Sequence, residues 1–423
     1  MIDPVGALLI VSIALVTPVV LVGVFGIRRV AFGMLLVAAF TVSMNNLRPT
    51  GFMTVSDVAL LGALPLVIGR RSAEHRNSWA IAGAAGVITL GGLIGTFFSD
   101  DSTESLLGAA RFVGASILIA LLFARWQPDR RSLRTLAWAT VLGTTVNALI
   151  GILFIRTYYG RAQGLSFQSN HLGIACLLAA GAALALAVSS GNVRRWSAIG
   201  CGLVLSGGVV VSGSRAALVG LAFLGVAALV VSRDRRLIRL AAVGTVGVAV
   251  ALQAGLIQLP DENAISRLLD PESSTVVFAD TVRDTLRDQS VARIKQYPLT
   301  GTGFEDALEA HSLYIQTWAT AGVVGLFGVA WLAVIGLRML RWSYRKDRFV
   351  SALAVTYVAF MVCAIESNNM WDRFIWLHLI LVAAATDHAM AVAAVSDEEA
   401  IGQEATALPR RRGRPYGELG RAT

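Results

Sequence analysis

The sequence predicts an all-α polytopic membrane protein with 12 to 13 transmembrane helices and one large extracytoplasmic loop. Three observations predict it. Hydrophobic residues make up 55% of the 423 and charged residues only 15%, against roughly 25% charged in a soluble domain. The mean hydropathy is +0.66. The apolar residues also come in runs close to the roughly 20 that a helix needs to cross a hydrocarbon core of about 30 Å.

Those runs fall at 5–26, 30–46, 55–69, 79–98, 106–125, 135–156, 170–190, 197–213, 215–232, 236–258, 311–338, 350–365 and 373–391. The first has no basic region before it and no small-residue cleavage site after it, so it reads as a span rather than a signal peptide. The chain is therefore expected to begin near Met1. The second, third and twelfth runs are short, and one of them being re-entrant reduces thirteen spans to twelve. The chain then divides into N-terminal spans (1–134), central spans (135–258), an extracytoplasmic loop with an amphipathic helix (259–310), C-terminal spans (311–391) and a disordered basic tail (392–423).

Charge orients the spans. Alternate connections hold 25 of the 36 basic residues, among them Arg28, Arg29, Arg130, Arg131, Arg233, Arg235, Arg345 and Lys346, and the positive-inside rule places that set in the cytoplasm. The other set carries ten, half of them in 259–310, so this loop and the short turns at 99–105, 158–169 and 212–215 face outward. Net charge +9 is thus a property of the membrane face and the tail, which is suited to anionic lipid headgroups. No nucleic-acid partner is needed to explain it. Cys176, Cys201 and Cys363 lie in apolar runs without CxxC spacing and read as core thiols, neither disulfide-bonded nor metal-binding.

Polar residues gather on the outward side. Within the loop, Val276, Val277, Val282, Leu286, Val291 and Ile294 alternate with charges as in an interfacial amphipathic helix. Asp280, Asp284 and Asp288 recur beside Arg283 and Arg287, a spacing that favours intrahelical ion pairs over a metal site. The helix ends at Pro298 and a Gly301-Thr302-Gly303 turn, before His311 opens the next span. Arg215 sits in the turn Ser212-Gly213-Ser214-Arg215-Ala216-Ala217, where it either snorkels to headgroups or offers its fork to an anion. Small neighbours leave the guanidinium accessible and favour the anion. Arg161 is an ordinary loop charge or a partner in that site, and Asn170 and His171 begin a span beside it. Arg111, about a turn into its span, either pairs with Asp100 or Asp101 or binds an anion. His311 is either a structural polar residue or a general base for a hydroxyl. Asp387, His378 and His388 fall on the cytoplasmic half of the last span, away from this group.

Three stretches in order resemble the O-antigen ligase and O-antigen polymerase family, bacterial polyprenyl-diphosphate-dependent membrane glycosyltransferases. They are 161–173, the Ser-Gly-Ser-Arg turn at 212–217, and the run from Arg283 through Pro298-Leu299-Thr300-Gly301-Thr302-Gly303-Phe304 and Ala310-His311-Ser312 to Ala321-Gly322-Val323-Val324-Gly325. Ser312 departs from the asparagine usual there. The likeness covers about 135–340. It implies a GT-C-like fold and an inverting, metal-independent transfer of a glycan from a polyprenyl-diphosphate donor to a glycan or lipid-linked acceptor hydroxyl, outside the cytoplasmic membrane and without a cofactor. His311 would be the base, with Arg215 catalytic beside it. Arg161 and Arg215 would hold the diphosphate, and Arg283 would bind glycan or staple the loop. A transporter or lipid-linked glycan flippase is the rival, since such proteins also line polar paths with arginine. The sequence shows no second copy of the Ser-Arg turn or of the loop-and-histidine unit that an internal repeat would supply.

Orientation is directly testable. A cysteine at position 288, in a protein whose three native cysteines are replaced, is expected to react with an impermeant thiol reagent on intact cells. Labelling only after permeabilisation would reverse the predicted topology.

Overall fold

The computed structural model describes residues 25–49, 53–67, 76–157, 160–232, 263–270, 272, 274–304, 310–367 and 371–407. The predicted span 236–258, and all but the last two residues of 5–26, lie outside them. Among the described residues the regular structure is helical, with one isolated antiparallel bridge between Arg156 and Ala162 and no strand.

Fourteen α-helices carry the described chain. They are α1 (Ile27–Thr41), α2 (Val55–Ala63), α3 (Arg76–Gly95), α4 (Ser102–Ala115), α5 (Ile117–Trp126), α6 (Arg130–Leu153), α7 (Ser169–Ser189), α8 (Asn192–Val211), α9 (Arg215–Ser232), α10 (Ala264–Leu269), α11 (Ser274–Gln296), α12 (Leu313–Ser343), α13 (Arg348–Cys363) and α14 (Arg373–Ala407). Seven segments are long and apolar enough to cross a membrane: α3, the α4–α5 pair, α6, α7, α12, α13 and α14. Helix α2 with its following 3₁₀ turn covers only Val55–Val67, about 20 Å at 1.5 Å per residue, too short for a 30 Å core. The predicted single span at 106–125 is two helices that meet at Ser116, whose hydroxyl bonds back to the Phe112 carbonyl at 2.6 Å. Helix α14 runs on to Ala407, well past 391, where the basic tail was expected to be disordered. Residues 392–407 are rich in alanine and glutamate, good helix formers, and Pro409 follows closely.

Polar staples tie the helices at both ends of the bundle. At one end Asp387 accepts from the backbone and side chain of both Asn77 (3.0 and 2.7 Å) and Ser78 (3.1 and 3.1 Å), satisfying the N-terminal amides of α3. Arg130 pairs there with Asp347 at 2.7 Å. At the other end Asn45 donates to Asp372 at 2.9 Å, and Asn147 donates to the Ser43 carbonyl and the Ser166 hydroxyl at 2.9 and 3.0 Å. Between them the walls are small. A Cβ on Gly91 of α3 would stand 2.5 Å from the Ala321 carbonyl, so α3 and α12 touch backbone to backbone.

Helix α12 is broken at Gly322, whose φ of 61° and ψ of −160° suit glycine alone. The break redirects hydrogen bonds. Val323 N donates to the Pro298 carbonyl at 3.2 Å instead of to Ala319, four residues back. The freed Ala319 and Thr320 carbonyls accept from Thr302 N and Gly303 N, each at 2.9 Å. The Pro298–Phe304 stretch, a turn at 298–300 followed by a short loop with Gly301 and Gly303 at φ 68° and 88°, therefore docks against the break. Phe304, fully buried, fills the space over Gly92 and Gly108 and lies 5.5 Å from the Phe112 ring.

Gly322→Ala is expected to lower stability by at least about 2 kcal/mol, because its Cβ would meet the Leu299 carbonyl oxygen 2.0 Å away in a backbone conformation L-residues avoid. Gly86→Ala, with no atom within 4 Å, is the neutral control. Equal thermal melting of the two variants in detergent would contradict the redirected hydrogen bonds.

Candidate active site

The Ser212–Ser214 turn, with Gly213 at φ 69°, joins α8 to α9 and puts Arg215 in the first position of α9. Neighbours fix it from three sides. Arg161 Nε donates to the Ser212 carbonyl at 2.9 Å, the buried Arg267 of α10 donates to the Gly213 carbonyl at 3.0 Å, and Ala162 N donates to Val211 at 2.9 Å. Gly173 of α7 lets the turn close in: a Cβ there would be 2.6 Å from Ser212 Oγ.

Arg215 Nη2 lies 2.5 Å from Asp280 Oδ1 on α11, and the same oxygen accepts from Arg283 Nη1 at 3.0 Å. One carboxylate oxygen thus bridges two guanidinium groups that would otherwise repel. Burial, and then Arg215, pull the Arg283 pKa below its ordinary value, against the opposing pull of Asp280 and Glu366. Of the three aspartates expected to form intrahelical pairs, Asp280 does so with Arg283; Asp284 and Asp288 make no ion pair with a described residue.

His311 precedes α12 with φ 51°, a left-handed conformation costly for a non-glycine residue and often found at functional sites. Its pKa is pushed down to about 4, first by burial and then by the charges of Arg283 and His171. The imidazole is therefore neutral near pH 7 and makes no hydrogen bond with a described residue. Tyr314, one position into α12, anchors this corner by donating to the Met361 carbonyl at 2.8 Å.

His311, Arg215, Arg283 and Glu366 border two adjoining hollows. The smaller, about 270 Å³, adds Asp280, Asp284, Arg287 and Ser312. The larger, about 380 Å³, adds Asn170, Ser214, Val219, Leu268 and Val362. The fold brings Arg215, Arg283, His311 and Asn170 together. Arg161 stands behind them, bonded to Ser212 and, at 2.7 Å, to Asn170 Oδ1. Arg111 is elsewhere, in a separate hollow of about 210 Å³ with Leu60, Leu107, Leu118 and the Asp57–Arg373 ion pair. Asp100 pairs with Arg293 at 3.5 Å, and Asp101 caps α4.

Glu366 and the buried Asp372, which approaches His171 Nδ1 at 3.3 Å, escaped the sequence reading. A signal existed: 366–372 is a polar island between two apolar runs. Among the described residues, no group of three or more His, Cys, Asp or Glu is placed to hold a metal ion.

Helices of this length and apolarity, with a charged cleft at one end, define a multi-pass membrane protein. Residues 200–330 match the family model described as O-antigen ligase, and that match supports the O-antigen ligase family for this chain. The matched stretch contains Arg215, Asp280, Arg283 and His311, and the break at Gly322. No curated protein matches the chain significantly.

Asp280→Asn is expected to free both arginines for an external anion. Pyrophosphate binding, read by isothermal titration, should tighten about 2- to 5-fold, the scale of a partly exposed ion pair. Weaker binding would show that Asp280 builds the site rather than fills it.

Proposed function

We propose that the protein is an inverting, metal-independent glycosyltransferase that moves a glycan from a polyprenyl-diphosphate carrier to an acceptor hydroxyl. The observation that carries this reading is that Arg215, Arg283 and His311, all within the region similar to O-antigen ligase, meet in one cleft. A neutral imidazole beside two arginines bridged by a single carboxylate is the equipment such a transfer requires.

In this reading His311 takes the proton from the acceptor hydroxyl as its oxygen bonds to the anomeric carbon. The bond from that carbon to the diphosphate breaks, and its electron pair leaves on the diphosphate oxygen. Arg215 and Arg283 hold that oxygen's developing charge with groups already in place. Fixed positive charge there takes the part a divalent ion plays elsewhere. Donor binding also improves the base: the diphosphate neutralises the arginine charge that depresses His311, so its pKa rises once the carrier is seated. Arg161 acts one step back, keeping the Ser212 turn and Asn170 in position. Arg111, in its separate hollow, has no part in the transfer.

The apolar wall of the larger hollow, with Val219, Leu268 and Val362, suits the first units of a polyprenyl chain. The positive-inside bias supports a cytoplasmic-membrane protein of 12 to 13 spans, with the cleft outward and the C-terminus in the cytoplasm. Ligase and polymerase differ in the acceptor, a glycan on another lipid or on its own carrier.

His311→Ala and Arg215→Ala are each expected to lower glycan transfer in proteoliposomes at least 100-fold with insertion unchanged. The sign of the pH effect follows from the base: protonated imidazole cannot accept a proton, so kcat/KM for the donor, which reports the donor-free protein, should hold from neutrality to about pH 5 and fall through about 4. Full activity in either variant, or an acid limb near 6.5, would sink these roles.

A further inference from the structure

The charged face of α11 extends past the arginine cradle. Asp280, Arg283, Asp284 and Arg287 are spaced i, i+3, i+4 and i+7, which puts them on one face of the helix, and all four line the smaller hollow. The first two are engaged with each other. Asp284 and Arg287 are not: neither makes a hydrogen bond or ion pair with a described residue, although their spacing would let them pair. Two opposite charges a turn apart stand open beside the base.

The chemistry of the two hollows differs. The smaller one is polar or charged except for Ala310 and Ile365, while the larger has an aliphatic side in Ala216, Val219, Leu268 and Val362. They share His311 and both arginines. A carrier lipid whose diphosphate sits on those arginines would lay its chain along the aliphatic side, which leaves the charged hollow to the sugar. A carboxylate that accepts and a guanidinium that donates twice in a fixed plane match adjacent sugar hydroxyls, each of which is both donor and acceptor.

We propose that Asp284 and Arg287 are the glycan-reading, specificity-determining residues of the cleft, selecting a sugar with adjacent free hydroxyls next to the reacting carbon. The inference rests on the glycosyltransferase reading above. It differs from that reading in needing the sugar rather than the diphosphate. Both side chains are exposed to the cleft, so Asp284→Asn and Arg287→Gln leave the packing intact.

The test compares two probes on the full-length protein in nanodiscs: bare undecaprenyl diphosphate, and the lipid-linked glycan fraction extracted from the membranes of cells that make the protein. Wild type is expected to prefer the glycan-bearing lipid. The D284N/R287Q double variant should bind that lipid about 10- to 100-fold more weakly, the scale of two hydrogen bonds of ordinary net strength on an exposed face, with its affinity for the bare diphosphate unchanged. A preference that survives the double substitution overturns the proposal, as does an equal loss for both probes, which would make the pair part of the cradle. Arg215→Ala provides the separate control. If it binds bare diphosphate as wild type does, the donor reading falls, whatever the glycan comparison shows.

Discussion

The break in α12 at Gly322 sets the geometry of everything at the cleft end of the molecule. A helix that ran on unbroken would keep the Ala319 and Thr320 carbonyls for itself, and the stretch from Pro298 to Phe304 would have nothing to dock on. With the break, those carbonyls accept from Thr302 and Gly303, and the Pro298 carbonyl receives both Val323 N and the Trp318 indole. Phe304 N is held by Ser105 Oγ at 2.8 Å. The end of α11 and the start of α12 are thus pinned to α3 and α4, and His311 and Arg283 keep their positions relative to the bundle. Arg293, which pairs with Asp100, adds a second tie on the same helix.

Within that frame the electrostatics are close to balanced. Two arginines from different elements, one on α9 and one on α11, converge on one aspartate, and a half-buried histidine beside them stays neutral because desolvation, and then the nearby positive charge, disfavours its protonated form. Such a site is poised for a dianion. Replacing a single carboxylate with a diphosphate increases the negative charge between the arginines and makes the neighbouring imidazole a stronger base. In the proposed reading Asp280 stands where the diphosphate would sit, and its bond to Arg215 fastens α11 to α9.

Much of this was legible in the sequence because hydropathy and charge are additive along a chain. Eleven of the thirteen predicted apolar runs correspond to described helices, and the Ser-Arg turn and the glycines at 301, 303 and 322 mark the places where backbones meet. Other features depend on distance between elements. The guanidinium of Arg161 is engaged with the Ser212 carbonyl and Asn170, and Arg283, 68 residues along the chain from Arg215, takes the place beside it that Arg161 was expected to hold. Arg111 looked like part of the same group because it lies near the same end of its helix, yet α4 carries it to another wall. Glu366 and Asp372 belong to a short polar stretch of sequence whose importance appears only when Glu366 lines the cleft and Asp372 meets Asn45 and His171. The helical part of the tail is a matter of local propensity, which charge does not report.

The proposed function seats the donor diphosphate in the Arg215–Asp280–Arg283 cradle, with His311 facing the bond that breaks. A cryo-EM structure with undecaprenyl diphosphate bound tests it most directly. Diphosphate density is expected between Arg215 and Arg283, with Asp280 displaced from both and the lipid chain running along Val219 and Val362. Diphosphate density beside Arg111 instead, with Asp280 still bridging the two arginines, would contradict it.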